Sequence, residues 1–330
     1  MRIETFSEGK NQDEPEANED QLLVLPGQGF AVIDGVTDIT GRVYEGMRTG
    51  RLASRVVQRA AADFLTDPAE TGRRPEALLE RASAALRAAY VRHGILEEVR
   101  ADPHRRFGAT LTIAADLGRT FRFIVVGDSG LRLNGSEVVV VDSGLDLVTA
   151  TLRQEAYRLV AESGGDLEAQ RRVSRACTFH GIGEPHPDML PWLDDRRLAA
   201  LYERSLAHCR ARFPLAPGVD IERLLDRGIS GQTRFQNNTA SPFSYAVVDG
   251  FDVPMPLVQV FARPRESLES IELFTDGYFK AGATPEVAAW EAAFAEVERV
   301  DPEKIDAYPS VKGTAGRIRT DDRTVVIVHL

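Results

Sequence analysis

The sequence predicts an α+β protein: one core of antiparallel strands, covered by amphipathic helices and carrying a helical insertion. Three observations predict it. Short apolar runs bounded by turn residues fill the first and last thirds of the chain, following one another as strand, turn, strand rather than strand, helix, strand. Two stretches in the first third have the spacing of helices. The region from about 146 to 230 turns rich in Arg, Glu, Leu and Ala. We therefore read residues 1–330 as a single domain with a helical insertion at about 146–230.

The elements follow in order. Leu22-Leu23-Val24-Leu25 is an apolar run, Pro26-Gly27-Gln28-Gly29 supplies turn chemistry, and Phe30-Ala31-Val32-Ile33 is a second run that stops at Asp34-Gly35. Helices are expected over 46–65, where Leu52, Val56, Ala60 and Phe64 recur every fourth residue, and over 75–93, where Leu78, Ala82 and Leu86 do the same. Strands resume at 110–114, 121–126 and 131–133. Asn134-Gly135 is a strong hairpin turn, and 138–141 returns from it. Inside the insertion, 148–162 and 194–212 read as helices, with breaks at 181–183 and 185–191. Strand texture returns at 244–248, 257–262 and 270–275. A helix is expected over 285–299, and the last strand, 324–329, is entered through Asp321-Asp322.

Composition excludes several classes. With 43% hydrophobic and 27% charged residues over 330 positions, the chain is globular and large enough to bury a sizeable core. Its net charge of −10 argues against nucleic acid as a partner, because that requires a basic face, and gives no attraction to a membrane of anionic lipid. No apolar run approaches the ~20 residues of a membrane span. Residues 1–20 are acidic where a signal peptide would be basic and then apolar. Cys177 and Cys209 cannot make a disulfide framework and suit a reducing compartment, so a cytoplasmic location is expected. Lysine occurs only at Lys10, Lys280, Lys304 and Lys312, which reads as base composition of the gene.

The chemistry lies in where the acids sit. Asp34 ends one apolar strand, Asp128 a second in Val125-Val126-Gly127-Asp128-Ser129, and Asp276 a third in Leu273-Phe274-Thr275-Asp276-Gly277. Asp321 opens the last strand, and Glu19-Asp20 begins the first. Each alone reads as turn chemistry or a solvated leader. Together they are carboxylates at the ends of several strands of one sheet, which can converge although they are distant in sequence. At an effective dielectric of ~20, two unit charges ~5 Å apart repel by about 3 kcal/mol. A divalent cation relieves that repulsion, and an all-oxygen set without histidine or cysteine suits Mg²⁺ or Mn²⁺ better than Zn²⁺. His104, His180 and His186 have no metal-ligand spacing with the cysteines, and no P-loop is present.

Six stretches occur in a recognisable order: Asn18-Glu19-Asp20; Phe30-Ala31-Val32-Ile33-Asp34-Gly35; Gly108-Ala109-Thr110; Val126-Gly127-Asp128-Ser129; Thr275-Asp276-Gly277; and Asp321-Asp322-Arg323-Thr324-Val325-Val326-Ile327-Val328. In this the chain resembles the PPM family of metal-dependent serine/threonine protein phosphatases, the type 2C class. The resemblance spans nearly the whole chain, although the insertion carries no family motif. It implies a four-layer α/β/β/α sandwich of two antiparallel sheets flanked by helices, with a site for two ions, Mg²⁺ or Mn²⁺, at one end. Under it Asp34 bridges both ions, the Gly35 carbonyl binds one, Asp276 and Asp321 hold the other, and Glu19 and Asp20 orient water on the metals. Asp128 belongs to an accessory third-ion position. The implied catalytic set is Asp34, Asp276 and Asp321. The paired ions make hydroxide available for in-line attack on the phosphoserine or phosphothreonine of a phosphoprotein substrate.

Three departures accompany the resemblance. Family members often carry an arginine shortly before the Glu-Asp pair to grip the substrate phosphate. Here Asp13-Glu14-Pro15-Glu16-Ala17 stands there, which leaves Lys10, Arg42 and Arg48 as candidates. Val36-Thr37-Asp38 replaces a histidine-containing stretch that serves as proton donor. Lys280 stands where an acid would help a third ion, and its charge opposes a cation there. These departures give two further readings, a catalytically weak regulatory or binding module with a protein partner on the insertion, and a phosphatase of a small metabolite.

Overall fold

Phe30 and Val32 join one hydrophobic cluster and Ala31 and Ile33 another, and all four are fully buried, so their strand has core on both faces. That alternation builds the layers. The computed structural model describes residues 1–37, 40–67, 69 and 74–330. They form two compact units: Met1–Asp142 with Tyr245–Glu296 and Gly316–Leu330, and Ser143–Ser244 with Val297–Ala315.

The first unit starts with strands β1 (Arg2–Glu8), β2 (Gln21–Leu25) and β3 (Gly29–Gly35), the short pair β4 (Val43–Tyr44) and β5 (Met47–Arg48), and helices α1 (Thr49–Thr66), α2 (Glu76–Arg92) and α3 (Leu96–Ala101). Strands β6 (Ala109–Asp116), β7 (Thr120–Val126), β8 (Gly130–Leu133) and β9 (Glu137–Val139) follow. The second unit is helical, with α4 (Leu145–Glu162), α5 (Leu167–His180), α6 (Asp195–Arg212) and α7 (Gly218–Arg227). Strands β10 (Gln259–Pro264) and β11 (Ser270–Phe274), helix α8 (Val287–Val300) and strand β12 (Arg323–His329) close the chain.

The ten long strands make two antiparallel sheets, ordered β10-β7-β6-β3-β2 and β1-β12-β11-β8-β9. Phe30, Val32, Phe123 and Val125 of the first meet Leu131, Leu273, Val326 and Val328 of the second in one cluster, so the sheets pack face to face. The outer face of the first sheet buries Ala31, Ile33, Ile113 and Ile124 against Leu52, Val57, Phe64, Leu78 and Leu86 of α1 and α2. The outer face of the second buries Phe274, Val325 and Ile327 against Trp290 of α8. The unit is thus the expected four-layer α/β/β/α sandwich.

Several boundaries differ from expectation. The 244–248 segment is not a strand: Val248 makes one isolated antiparallel bridge with Ala109, and Ser244 Oγ is turned to Asn238 Oδ1 at 2.9 Å. The segment expected as a strand from 257 is preceded by a single 3₁₀ turn over Met255–Leu257 and pairs only from Gln259. Arg2–Glu8, where the sequence reading places no element, form β1 on the edge of the second sheet, paired with β12 from Arg2↔His329 to Glu8↔Arg323. Gly127-Asp128-Ser129 carries the chain from one sheet to the other, since β7 and β8 belong to different sheets. Gly127 has φ +81°, and a Cβ there would lie 2.4 Å from Thr110 Cγ2, so only glycine fits this crossing.

Two helices of the second unit start from side-chain caps, Asp166 accepting from the Ala169 N–H and Asp194 from the Arg197 N–H. The buried Arg153 guanidinium ties α4 to the 303–310 segment by donating to the carbonyls of Glu303 (2.8 Å), Lys304 (3.1 Å) and Ser310 (3.2 Å). Among the described residues no helix is long and apolar enough to cross a membrane.

One polar cluster is sealed in the first unit. Arg132 and Glu272 are register partners on β8 and β11, Arg132 Nε donates to Glu272 Oε1 at 2.9 Å, and Trp290 Nε1 donates to Glu272 Oε2 at 2.8 Å. Glu272 is fully buried. Arg132→Met therefore leaves a buried carboxylate without its counter-charge, and we expect a loss of about 3–5 kcal/mol in urea unfolding, largely recovered by adding Glu272→Leu. A single variant as stable as the parent would contradict this.

Candidate metal centre

A tight turn aims the first two acids inward. Asn18 Oδ1 accepts from the Asp20 N–H at 2.9 Å, and Arg51 Nη1 donates to the Asn18 carbonyl at 2.8 Å. Glu19 and Asp20 are 1% and 3% exposed. The Asp322 carboxylate fixes this segment by accepting two backbone N–H groups, Lys10 at 2.6 Å and Glu19 at 3.1 Å. Thr275 Oγ1 donates to Asp20 Oδ2 at 2.8 Å and accepts from the Thr324 N–H at 2.9 Å, linking three of the motifs through one hydroxyl.

The other acids arrive on strand ends. Asp34 stands near the end of β3, in register with Thr110 on β6, whose hydroxyl is 3.0 Å from that of Ser129. This brings Asp128, in the crossing between the sheets, to the same end. Asp276 follows β11 and is exposed, while Asp321 precedes β12 and is half-buried. Gly35 ends β3 against Gly50 at the start of α1. A Cβ on Gly35 would fall 2.3 Å from the Gly50 carbonyl oxygen, and one on Gly50 would fall 2.5 Å from Glu19 Oε1.

The electrostatics record the convergence. Asp34 is held well above the usual carboxylate range, first by burial and then by the charges of Asp20, Asp276, Asp321 and Asp128. Asp20 is pushed up to about 7 by burial and by Asp322, against the hydrogen bonds from Thr275 and Thr324. Asp34 thus shares one electrostatic neighbourhood with four of the other acids singled out from the sequence. Glu19 is part of the cluster through a cation: Lys10 Nζ lies 2.9 Å from Glu19 Oε2, 3.3 Å from Asp322 Oδ2 and 3.4 Å from Asp321 Oδ1. Burial opposes the charge on Lys10, but Asp321, Glu19 and Asp322 outweigh it and hold the group above the ordinary lysine value.

The donor set fits a hard divalent cation. Glu19 Oε1 and Asp20 Oδ1 are buried without a hydrogen-bond partner, a costly condition that a cation or its water would relieve. Among the described residues no three His, Cys, Asp or Glu side chains stand as a ready set of direct ligands. Mg²⁺ needs no such cage, because it keeps several waters and takes one or two carboxylates.

The phosphate candidates part company. Arg42 donates to Glu98 and to Tyr44, and Lys10 lies among the acids. Arg48 is exposed, two residues before the Gly50 that abuts Glu19. Lys280 pairs with Glu296. Thr37 Oγ1 donates to Glu19 Oε2 at 2.9 Å, whereas Asp38 lies outside the described residues. Sequence reading passed over Thr275, Thr37, Arg51 and Asp322 as functional groups. Thr275 and Asp322 do sit inside recognised motifs, but their partners are far away in the chain.

The family profile of Protein phosphatase 2C matches residues 10–307. No curated protein sequence matches the chain. Solved structures that resemble it include the serine/threonine phosphatase PstP/Ppp of Mycobacterium tuberculosis, at 17% identity over 100% of this chain and 98% of that one, with a TM-score of 0.43. Stp1 from Staphylococcus aureus has 12% identity over 100% and 95%, with a TM-score of 0.44. The catalytic domain of PstP in complex with two manganese ions has 16% identity over 99% and 96%, with a TM-score of 0.42.

The raised acids set a pH dependence for the protein without cation. Asp20 and Asp34 ionise above their unfolded values, so their contribution is fully present below ~4; that of Asp20 is lost as pH rises through about 7, and that of Asp34 is lost above the usual carboxylate range. Glu45, Glu98, Asp102 and Asp301 are shifted down, so their contribution is lost only as pH falls below ~4. The exposed His180, held below the ordinary histidine value by burial and by His186, works against the two raised acids. In chelator, the melting temperature is therefore expected to fall between pH 5.5 and pH 8. A rise over that range in scanning calorimetry would contradict the arrangement.

Proposed function

We propose that this chain, which belongs to the protein phosphatase 2C family, hydrolyses phosphoserine and phosphothreonine in proteins and requires Mg²⁺ or Mn²⁺ to do so. The observation that carries the reading is the shared electrostatic neighbourhood of Asp34 with Asp20, Asp276, Asp321 and Asp128. Asp34, Asp276, Asp321 and the Gly35 carbonyl would hold two ions, Glu19 and Asp20 would orient their water, and Asp128 would serve an accessory position. When bound, the ions supply a water activated near neutral pH and neutralise charge growing on the phosphoryl oxygens.

The chain's own groups prepare that chemistry. Thr275 fixes the rotamer of Asp20 through its hydroxyl, leaving Oδ1 directed at the cluster without another partner. Thr37 fixes Glu19 in the same way. Asp322 holds the backbone that carries Glu19, so its charge serves to position that segment. We assign the phosphate grip to Arg48, which is exposed beside the acidic end, while Arg42 is committed to Glu98. The two cysteines are buried and not joined in a disulfide, which suits a cytoplasmic setting.

Two measurements test this. Asp34→Asn is expected to lower Mn²⁺-dependent kcat/KM on a phosphopeptide by at least about a hundredfold with an unchanged circular dichroism spectrum. Activity close to that of the parent would refute the assignment. Arg48→Ala is expected to raise KM about tenfold while moving kcat less than about threefold, as loss of a phosphate contact does. An unchanged KM would remove Arg48 from the site, and a small phosphate ester turned over faster than any phosphopeptide would move the substrate class.

A further inference from the structure

Lys10 is not placed as a surface lysine. Its backbone N–H donates to Asp322 Oδ1 at 2.6 Å, its carbonyl accepts from the Arg319 N–H at 2.8 Å, and the next residue, Asn11, bridges to Ile318. The stem is therefore anchored to the segment that carries Asp321. Its side chain is 20% exposed. An ammonium has three N–H donors. They face Glu19 Oε2 at 2.9 Å, Thr37 Oγ1 at 3.1 Å, and the Asp321 and Asp322 carboxylates at 3.4 and 3.3 Å. Asp321, assigned above to an ion, and Glu19, assigned above to the water of the ions, thus already share a cation that belongs to the chain.

We propose that Lys10 is a tethered counter-ion of the acidic cluster that competes with divalent cations for Glu19 and Asp321, and so sets the cation affinity of the site. The inference rests on the metal-dependent reading above. A fixed positive charge a few ångströms from shared carboxylates raises the energy of a second cation there. Linkage makes the effect mutual, so a bound ion must loosen the contacts of Lys10. A lysine that only held the acids in place would have the opposite sign, because its removal would let them splay and weaken cation binding.

Calorimetric titration of Mn²⁺ into the full chain separates these. Lys10→Gln and Lys10→Met, which remove the charge, are expected to bind Mn²⁺ at least tenfold more tightly than the parent, while Lys10→Arg, which keeps it, stays near the parent. Folded neutral variants that bind no more tightly than the parent would overturn the proposal and leave the metal-dependent reading standing. Absence of Mn²⁺ binding by parent and variants alike would overturn both. A second readout uses the parent itself. The chain has four lysines, Lys10, Lys280, Lys304 and Lys312, so the side-chain signals of lysine-labelled protein are few, and Lys10→Arg assigns one of them. That signal is expected to shift as Mg²⁺ is added. Saturable Mg²⁺ binding that leaves it unmoved would overturn the proposal.

Discussion

Repulsion among the carboxylates around Asp34 is the constraint that organises one end of the sandwich. The strands deliver Asp34, Asp128, Asp276 and Asp321 to that end because each strand stops or starts there, and a carboxylate at a strand end is brought near its counterparts by sheet packing. No single element chooses this. The inner faces of the two sheets interlock through Phe30, Val32, Leu273 and Val326, and the acids follow the strands they terminate.

The chain meets the repulsion in different ways at different acids. Asp322 accepts two backbone N–H groups, lies against the Lys10 ammonium and becomes a fastener between the start and the end of the chain. Asp20 gains a hydroxyl donor from Thr275 on one oxygen and leaves the other buried without a partner. Glu19 shares the ammonium of Lys10 with Asp321. Asp34 has the charges of four acids about it, and its raised pKa records its burial first and then the repulsion that the protein alone does not relieve.

Much of the sandwich was legible because its strands alternate or run apolar and end at turn residues. Phe30 to Ile33 announces a strand buried on both faces, and Asn134-Gly135 places the β8–β9 hairpin. β1 was not legible: Arg2, Glu4 and Glu8 interrupt its apolar pattern, and its partner in the sheet, β12, lies at the other end of the chain. Helices α5 and α7 hide among breaks such as Gly181 and Pro217, and among the described residues the 244–248 run pairs through the single bridge of Val248 to Ala109. The acids of the site were readable one by one, as strand ends. What joins them was not: the contacts of Lys10 with Asp321 and of Thr275 with Asp20 are hydrogen bonds between residues hundreds of positions apart, and no local pattern encodes them.

The central claim is that acids which resist ionisation in the cation-free protein give up protons when a divalent ion joins them. Mn²⁺ titration calorimetry at pH 6.5, repeated in buffers of different ionisation enthalpy, measures that exchange directly. The account predicts saturable binding accompanied by net proton release, with the release diminishing at pH 8.5. Binding without proton release at either pH, or no binding in any buffer, would contradict it.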